Sequence, residues 1–325
     1  MARVTLVEAI NMALNRALAD DPDVVLIGED IGLNGGVFRA TQGLQQQYGD
    51  LRVIDSPLAE GLIAGMSIGM AAQGLKVVAE IQFMGFIYPA LDQVANHMAR
   101  MRHRTRGRLT CPVVMRMPHG GGIHAPEHHS ESLETLFCHH AGLRVLCPST
   151  PAAAYGLLLA AIRDPDPVIF LEPTRLYRLA RQEVQDDGVA WPLDQAQVLR
   201  EGEDVTLVTW GAMTHETLRA AEELAREKIS AEVIDLVSLS PIDHARVLES
   251  VRHTGRLVIV HEAARHAGLG GEVAATVAEQ ALHDLLAPIE RVTGYDTVMP
   301  YFSMERSYIP GPGRIVEAAR RALQY

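Results

Sequence analysis

Short apolar runs alternate with helical patterns along almost the whole chain. This alternation predicts an α/β fold with mainly parallel sheets. In the first half the predicted strands are residues 24–27, 52–54, 77–81, 113–117, 145–147 and 168–171. The predicted helices fill the gaps at residues 6–19, 58–72, 87–101 and 151–162. A capping box at residues 5–8 marks the start of the first helix.

The hydrophobic periodicity fades between Glu172 and Glu203, where prolines, glycines and charges accumulate as in a linker. Beyond it the pattern predicts a second α/β unit, with strands at residues 205–210, 231–235, 257–261 and 289–292. Its helices are predicted at residues 214–228, 244–252, 271–286 and 315–323. We therefore expect one domain at residues 1–190 and a second at residues 191–325, joined by a linker at about residues 173–203.

The composition is that of a globular protein, because 48% of the 325 residues are hydrophobic and 21% are charged. The net charge of −11 disfavours nucleic acid as the main partner, since binding a phosphate backbone needs a basic face. Arginines at every second position from Arg100 to Arg108 would scatter around a helix without forming one basic stripe.

The three cysteines form no CxxC pair, so they indicate neither a disulfide framework nor a zinc knuckle and fit a reducing compartment. The N-terminal capping box is unlike a signal peptide. The longest uncharged stretch, residues 61–75, is too short and too rich in glycine to span a bilayer. The sequence thus predicts a cytoplasmic protein without a membrane partner.

The segment DSPLAEG at residues 55–61 joins a predicted strand to a predicted helix. Ser56 is the predicted N-cap of this helix and Pro57 its predicted first residue. Glu60 is the only charged residue between Leu58 and Ala72. It is either an acid favoured by the helix dipole or a deliberately buried acid, and buried ionisable groups concentrate at catalytic sites.

Gly61, Gly65 and Gly69 recur at every fourth residue and share one face of the predicted helix. Because glycine lowers helix stability, such a row indicates the close approach of another element. A contact with another subunit is favoured over tight packing on the sheet of the same domain.

The segment from His119 to Ser130 contains several histidines and three consecutive glycines. Its histidines and Glu127 could ligate zinc, but their spacing matches no compact ligand motif. The glycines favour a flexible loop that brings a histidine to a reacting group for acid–base or orienting work. Solvated loop histidines are the remaining alternative.

Several phosphate-binding and nucleophile motifs do not occur in this sequence. There is no GxGxxG after the first strand, no GxxxxGK[ST], and no GxSxG elbow at a strand-to-helix turn. The Gly-Asp-Gly to Asn pattern that holds magnesium and the tail of thiamine diphosphate is also missing. Two α/β domains with polar strand ends but no phosphate-binding element indicate half of a site.

Taken as a set, the residues resemble the beta subunit of the heterotetrameric, thiamine diphosphate-dependent 2-oxo acid dehydrogenases, the decarboxylating components of the pyruvate, branched-chain and acetoin complexes. The resemblance implies a thiamine diphosphate-binding, pyrimidine-type doubly wound domain, followed by a smaller domain like the transketolase C-terminal domain. It is carried by residues 25–30 (VLIGED), 35–39 (GGVFR), 55–60 (DSPLAE), 80–83 (EIQF), 120–122 (GGG), 129–132 (HSES) and 167–173 (PVIFLEP).

The resemblance implies a role for five residues of the active site. Glu60 would hydrogen-bond N1′ of the aminopyrimidine ring, through a carboxyl that an apolar pocket keeps neutral. Leu58, Gln82 and Phe86 match positions that line the same ring, and many relatives carry tyrosine at the position of Phe86. His129 matches a histidine of the active-site channel, where it would orient or protonate intermediates during reductive acylation of a lipoyl group.

The resemblance also implies metal ions. Magnesium would be bound through the alpha subunit. Some relatives hold a structural potassium ion, and the matching positions in this chain are Val113, Ala161, Ile162, Asp164 and Asp166.

The implied partners are an alpha subunit, in a heterotetramer of two alpha and two beta chains, a lipoyl-bearing acyltransferase core, and a 2-oxo acid substrate. The second domain would build the contact between beta subunits and dock the core, although no role follows for His261 and Glu262. Residues 289–297 look like the branched-chain enzymes and residues 120–133 like bacterial pyruvate enzymes. Branched-chain substrates are preferred, with pyruvate or acetoin as alternatives. A non-catalytic docking subunit and a zinc hydrolase are the alternatives of other classes.

Overall fold

The chain forms two compact units in a computed structural model that describes residues 2–325. The first unit contains the chain up to His119 and again Leu136–Leu193. The second unit contains Gly120–Thr135 together with Asp194–Tyr325. The glycine- and histidine-rich segment therefore groups with the C-terminal part of the chain.

The first unit is built on parallel strands, and the central ones are buried on both faces. Six parallel strands lie side by side in the order β6-β7-β5-β4-β2-β3. Strands β1 and β8 form a separate antiparallel pair. The apolar runs of the central strands are nearly continuous, as expected of strands covered on both sides. The strands are β1 (Ala2–Val4), β2 (Val24–Glu29), β3 (Val53–Ser56), β4 (Lys76–Glu80), β5 (Val113–His119), β6 (Arg144–Leu146), β7 (Val168–Pro173) and β8 (Gln182–Val184).

The helices of this part of the chain are α1 (Leu6–Asp20), α2 (Leu44–Tyr48), α3 (Glu60–Ala72), α4 (Met101–Arg104), α5 (Glu134–Cys138) and α6 (Pro151–Arg163). The predicted capping box of α1 is confirmed, because the Glu8 amide donates to the Thr5 hydroxyl at 3.5 Å and the Thr5 amide donates to the Glu8 carboxylate at 2.7 Å. Single turns of 3₁₀-helix lie at Met84–Phe86, Tyr88–Ala90, Glu127–His129 and Thr174–Leu176.

The predicted start of the helix at residues 58–72 is wrong. Strand β3 continues to Ser56, which pairs with Glu29 of β2, and α3 begins at Glu60 with Ala59 as an N-cap that offers no side-chain hydrogen bond. Two physical reasons account for the shift. The residue before proline is biased towards extended backbone, and Ser56 precedes Pro57. The ladder to β2 then holds that extended conformation.

The predicted continuous helix at residues 87–101 is also wrong. The segment consists of the turn Tyr88–Ala90, a π-helical stretch at Gln93–Met98, and the short helix α4. A π-helix advances by a different number of residues per turn, so its side chains do not keep the α-helical period that the prediction assumed.

The second unit has a sheet in the order β14-β13-β10-β11-β9, in which only β9 runs antiparallel to its neighbour. Its strands are β9 (Gln197–Arg200), β10 (Val205–Thr209), β11 (Ala231–Asp235), β12 (Ser238–Ser240), β13 (Leu257–Ala264) and β14 (Glu290–Gly294). Its helices are α7 (Met213–Arg226), α8 (His244–Thr254), α9 (Gly270–Gln280), α10 (Phe302–Tyr308) and α11 (Pro312–Ala322).

The helix predicted at residues 271–286 ends at Gln280, and a 3₁₀ turn follows at Leu282–Asp284. The pattern did not predict α10. It also did not predict the strands β8 and β9, which lie within the expected linker. Within residues 2–325, no helix combines the length and the apolar character needed to cross a bilayer. The α/β architecture predicted from the sequence is confirmed.

Candidate active site

Polar residues at the ends of several parallel strands lie along one edge of the first sheet. Ser56 at the end of β3 is paired with Glu29 of β2, and Gly28 of β2 is paired with Glu80 of β4. Glu80 is in turn paired with Arg116 of β5. Because all these strands are parallel, their carboxyl ends meet at the same edge, where open α/β sheets bind ligands.

A buried ion network lies behind this edge. The Arg116 guanidinium donates to both oxygens of Glu172, each at 2.7 Å, and forms a very short ion pair with Glu80. The Tyr177 hydroxyl donates to the same Glu172 carboxylate at 2.5 Å. All four side chains are buried. A bidentate arginine–carboxylate pair is among the strongest polar contacts in proteins, so this network makes the edge rigid.

The pKa shifts of the network follow from its burial and its charges. Burial raises the pKa of Glu80, although the Arg116 charge opposes this. Burial opposes the charge on Arg116, but Glu172 and Glu80 outweigh it and raise its pKa. This network was not predicted from the sequence. An arginine inside the apolar run VVMRM, and glutamates at the ends of two neighbouring predicted strands, were signals that could have found it.

Glycine is needed at two positions, Gly28 near the end of β2 and Gly36 in the segment that follows β2. A Cβ on Gly28 would lie 3.0 Å from the Cβ of Glu80, and a Cβ on Gly36 would lie 3.3 Å from its Oε1. Gly36 also has a φ of +79°, which favours glycine. These glycines let the backbone approach the Glu80 side chain closely.

Glu60 is the first residue of α3, and this chain leaves it half-buried. Leu58, just before it, is 72% exposed. Burial raises the pKa of the nearby Glu29, and negative charge on Asp30 and Glu60 raises it further. The start of α3 therefore lies near other acids at the strand-end edge, and their negative charge disfavours ionisation of Glu29.

Gln82 and Phe86 follow the end of β4 and are half-buried. The Phe86 ring packs edge-on against Phe83, with ring centroids 5.5 Å apart, and Phe83 packs in the same way on Phe38 at 5.4 Å. The segment that follows meets the start of α3, because a Cβ on Gly61 would lie 3.2 Å from the carbonyl oxygen of Pro89. The structure thus brings the region of Glu60 and Leu58 next to the segment that carries Gln82 and Phe86.

His129 lies in the second unit, on the 3₁₀ turn Glu127–His129. It is half-buried, and the centroid of its ring is 4.3 Å from that of His128. Burial lowers the pKa of His129, the neighbouring His128 lowers it further, and Glu127 opposes the shift. His129 is therefore neutral near pH 7, the form that can take up a proton or accept a hydrogen bond.

His119 is a core residue and no candidate for catalysis. It is buried, its Nδ1 lies 3.2 Å from the sulfur of Met84, and burial lowers its pKa to about 4. Over residues 2–325 the structure brings together no group of three or more histidine, cysteine or acidic side chains that could hold a metal ion. The zinc alternative therefore gains no geometric support from the part of the chain described.

The five positions predicted for potassium lie on β5, on α6 and on the turn that follows α6. The carboxylate of Asp166 is 2.7 Å from Arg102, and that of Asp164 is 3.1 Å from Arg144. The carbonyl of Ala161 accepts the amide of Asp164 at 3.3 Å. Since arginines engage both aspartates, a cation here would depend on backbone carbonyls, and the potassium site stays a prediction.

Comparison with known proteins places both halves of the chain in one class. Residues 2–180 match the transketolase pyrimidine-binding domain, and residues 194–315 match the transketolase C-terminal domain. A solved structure described as a split-gene transketolase, an inactive beta4 tetramer, has a TM-score of 0.82 and covers 99% of both chains at 24% identity. At that identity the likeness shows the fold, which is transketolase-like.

Full-length relatives narrow the class further. The chain is 47% identical to the pyruvate dehydrogenase E1 component subunit beta of Bacillus subtilis (strain 168), with 100% of both chains covered. It is 48% identical to the protein of the same name from Acholeplasma laidlawii, over 99% of this chain and 98% of that one. The chain belongs to the family of the E1 beta subunits of 2-oxo acid dehydrogenases. The prediction of an oxidoreductase subunit of this type is confirmed.

Proposed function

We propose that this chain is the beta subunit of a pyruvate dehydrogenase E1 component, which decarboxylates pyruvate with thiamine diphosphate and acylates a lipoyl group. The observation that carries the proposal is full-length identity of 45–48% to proteins named as pyruvate dehydrogenase E1 beta subunits. These relatives favour the pyruvate alternative over the branched-chain reading that residues 289–297 suggested. The glycine-rich segment at residues 120–133 points the same way, since it looks like the bacterial pyruvate enzymes.

The strand-end edge of the first unit suits the flat, nitrogen-bearing aminopyrimidine ring of thiamine diphosphate. Phe86 and the exposed Leu58 offer apolar surface, while Gln82 and Glu60 offer polar groups beside it. The buried hydroxyl of Ser56 has no hydrogen-bond partner within residues 2–325, so this edge retains a polar group that a ligand can use. When bound, thiamine diphosphate supplies the electron sink for decarboxylation.

In this proposal the residues of the chain bind, orient and move protons. Glu60 would form the hydrogen bond to N1′ of the ring, and Leu58, Gln82 and Phe86 would hold the ring in place. His129, neutral near pH 7, orients or protonates the acyl group on its way to the lipoyl sulfur. The buried network around Arg116 keeps rigid the edge of the first unit, which carries Glu60, Gln82 and Phe86.

The proposed partners are an alpha subunit, which supplies magnesium and the grip on the diphosphate, and a lipoyl-bearing acyltransferase core. A heterotetramer of two alpha and two beta chains and a cytoplasmic location complete the proposal. Within residues 2–325 none of Cys111, Cys138 and Cys147 forms a disulfide, which fits the reducing compartment of this proposal.

Replacement of Glu60 by glutamine tests the function directly. In the assembled tetramer with an alpha subunit, we expect Glu60→Gln to lower decarboxylation of pyruvate about 100-fold or more while the tetramer still forms, because general acid–base groups contribute on that order. Decarboxylation is measured with an artificial electron acceptor, and assembly by size-exclusion chromatography. Glu183→Gln, an exposed glutamate on β8, is the matched control.

The same assay run on the wild-type tetramer decides the substrate. We expect kcat/KM for pyruvate to exceed that for 3-methyl-2-oxobutanoate about tenfold or more, since even small apolar groups discriminate to this extent. A preference for the branched substrate would return the assignment to the branched-chain class. Normal turnover in Glu60→Gln would instead support a non-catalytic docking subunit.

A further inference from the structure

Glu262, at the end of the second unit's sheet, joins the two ends of the loop that carries His129. The amide of Gly121 donates to its Oε1 at 2.5 Å, and the hydroxyl of Ser132 donates to the same oxygen at 3.3 Å. The amide of Gly120 donates to the carbonyl of Glu131 at 3.0 Å, which closes the base of the loop. One carboxylate on β13 thus holds both the entry and the exit of the loop.

A second carboxylate holds the next residue of the loop. Glu305 of α10 accepts the amide of Gly122 at 2.8 Å, and its other oxygen lies 3.5 Å from Nε2 of His124. Glu262 is 6% and Glu305 is 3% exposed. A buried carboxylate is costly unless it is hydrogen-bonded, and bonds from backbone amides to a carboxylate are stronger than neutral ones. These contacts are therefore specific, and they exist only when the loop adopts this conformation.

The three consecutive glycines are what let the carboxylates approach the backbone. Gly120 and Gly122 have φ values of +81° and +90°, where other residues are strained. A Cβ on Gly120 would lie 3.0 Å from Oε1 of Glu262, and one on Gly121 would lie 2.4 Å from Cε of Met299. From the sequence, the glycines predicted a flexible loop. In the structure they instead let the backbone pack closely against the carboxylates of Glu262 and Glu305.

The strand that bears Glu262 is itself fixed by stacking, and so is the end of the loop. The ring of His261, next to Glu262, stacks on Trp210 at a centroid distance of 5.1 Å and an interplanar angle of 12°. The indole of Trp210 donates to Glu134, the first residue of α5, at 3.2 Å. The loop thus leaves Ser132 and enters a helix that the same aromatic pair holds.

We propose that Glu262 is a positioning residue, assisted by Glu305, which fixes the loop so that His129 points to the acyl group in lipoyl acylation. The inference rests on the proposed function, which assigns that step to His129. Because the loop occupies Oε1 of Glu262, we assign Glu262 to holding the loop and not to contacting substrate. Its removal should therefore loosen the loop and slow the step that needs His129, while the step that needs Glu60 continues.

The test uses the assembled heterotetramer with Glu262→Ala, Glu262→Gln, Glu305→Gln and Ser132→Ala. Hydrogen–deuterium exchange of peptides that cover residues 120–132, recorded without substrate, reports the hold on the loop. Acylation of an isolated lipoyl domain and decarboxylation with an artificial electron acceptor report the two half-reactions. Glu279→Ala, an exposed glutamate on α9, is the matched control.

We expect exchange in Glu262→Ala to be about tenfold faster or more, and kcat for lipoyl acylation to fall about 10- to 100-fold, since misplacement of a catalytic group by about 1 Å has effects of this size. Decarboxylation should stay within about twofold of wild type. Glu262→Gln retains an acceptor oxygen and should recover most of the acylation. Ser132→Ala removes one hydrogen bond and should lower acylation by a smaller factor, again without slowing decarboxylation.

Unchanged exchange in Glu262→Ala would overturn the inference, and so would an equal loss of both half-reactions, which a merely structural role produces. If Glu262→Ala does not assemble, Ser132→Ala and Glu305→Gln decide between these outcomes. Failure of the proposed function looks different. In that case the wild-type tetramer has no pyruvate turnover at all, while the exchange measurement still tests whether Glu262 holds the loop.

Discussion

Glu134 is a carboxylic acid that the fold buries at the start of α5. It is 1% exposed, and its Oε1 accepts the indole N–H of Trp210 at 3.2 Å. Its Oε2 has no hydrogen-bond partner among residues 2–325. Burial raises the pKa of Glu134 to about 7, and the nearby Glu262 adds to the shift. At this position the folded protein favours a protonated carboxyl, which is the form that burial penalises least.

This shift makes stability depend on pH in a defined direction. The ordinary pKa of 4.5 applies to the unfolded chain, so between pH 4.5 and about 7 the unfolded state loses a proton that the folded state keeps. The contribution of Glu134 to stability is therefore complete below that window and falls as the pH rises through it, by about 3 kcal/mol at most. We expect Glu134→Gln, which stays neutral, to melt at a higher temperature than wild type at pH 8 and at the same temperature at pH 4.5.

The melting midpoints are measured on the assembled protein at both pH values. Glutamine keeps an oxygen for the bond from Trp210, so the comparison isolates the charge. Glu279→Gln, which changes an exposed carboxylate of the same unit, controls for net charge. A difference between Glu134→Gln and wild type that is the same at both pH values would show that the Glu134 carboxyl does not resist ionisation.

Packing within this chain explains only part of the face of α3 that carries Gly61, Gly65 and Gly69. A Cβ on Gly61 would lie 3.2 Å from the carbonyl oxygen of Pro89, so contact inside the chain accounts for this glycine. A Cβ on Gly65 would be 3.8 Å from the Gln93 side chain, and one on Gly69 would meet no atom within 4 Å. Leu62 and Met66, 44% and 40% exposed, lie on the same helix. Packing within the chain therefore leaves Gly69 unexplained, and contact with another subunit stays our prediction for it.

Alanine at Gly69 distinguishes the two explanations. If another subunit packs against Gly69, we expect Gly69→Ala to weaken association of the subunits about tenfold or more, because overpacking costs about 1–3 kcal/mol. The dissociation constant is measured by analytical ultracentrifugation. Gly313→Ala is the control, since that helical glycine in α11 also faces open space. Unchanged association together with a higher melting temperature would show that Gly69 contacts nothing, because alanine favours a helix over glycine by about 1 kcal/mol.

Most elements could be predicted from the sequence because their signals are local. The capping box at Thr5 and the apolar runs of the parallel strands depend on neighbouring residues alone. The start of α3 could not be placed in this way, since Ser56 is kept in β3 by its pairing with Glu29, across the sheet. The carboxylate of Asp55 is also used elsewhere, for the amides of Gly32 and Leu33 at 2.6 and 3.3 Å.

The same distinction between local signals and contacts across the fold applies to the candidate site. Glu60 and His129 could be proposed as candidates because each sits in a short, unusual segment that resembles the family, and their roles stay predictions. Glu262 could not be given a role, because the residue it binds, Gly121, is 141 positions away in the chain. The pairing of Arg116 with Glu172 spans 56 positions and was equally out of reach of local patterns. Contacts between distant residues depend on topology, which the pattern of polar and apolar positions specifies only as a class.

At the scale of the whole molecule, the proposed function implies that the chain carries one half of an active site. The chain offers carboxylates, an aromatic row and a positioned histidine, but the sequence has no Gly-Asp-Gly to Asn pattern to hold magnesium and a diphosphate. Its net charge of −11 argues against binding the diphosphate of a cofactor by electrostatics alone. We therefore expect the active site to be completed by a partner chain, as proposed above.

Because the chain lacks the magnesium and diphosphate motif, we predict that it is inactive alone and that it is isolated from cells together with a partner. Affinity purification of the tagged chain from its native cells, followed by mass spectrometry, should recover a protein of similar or slightly larger size that carries the missing magnesium and diphosphate motif. Addition of that protein to the purified chain should produce 2-oxo acid decarboxylation from a background near zero, since neither half holds the cofactor fully. Recovery of the chain by itself under gentle conditions would contradict the half-site and favour a docking role. The Glu60→Gln chain serves as the control, because it should recover the same partner without restoring activity.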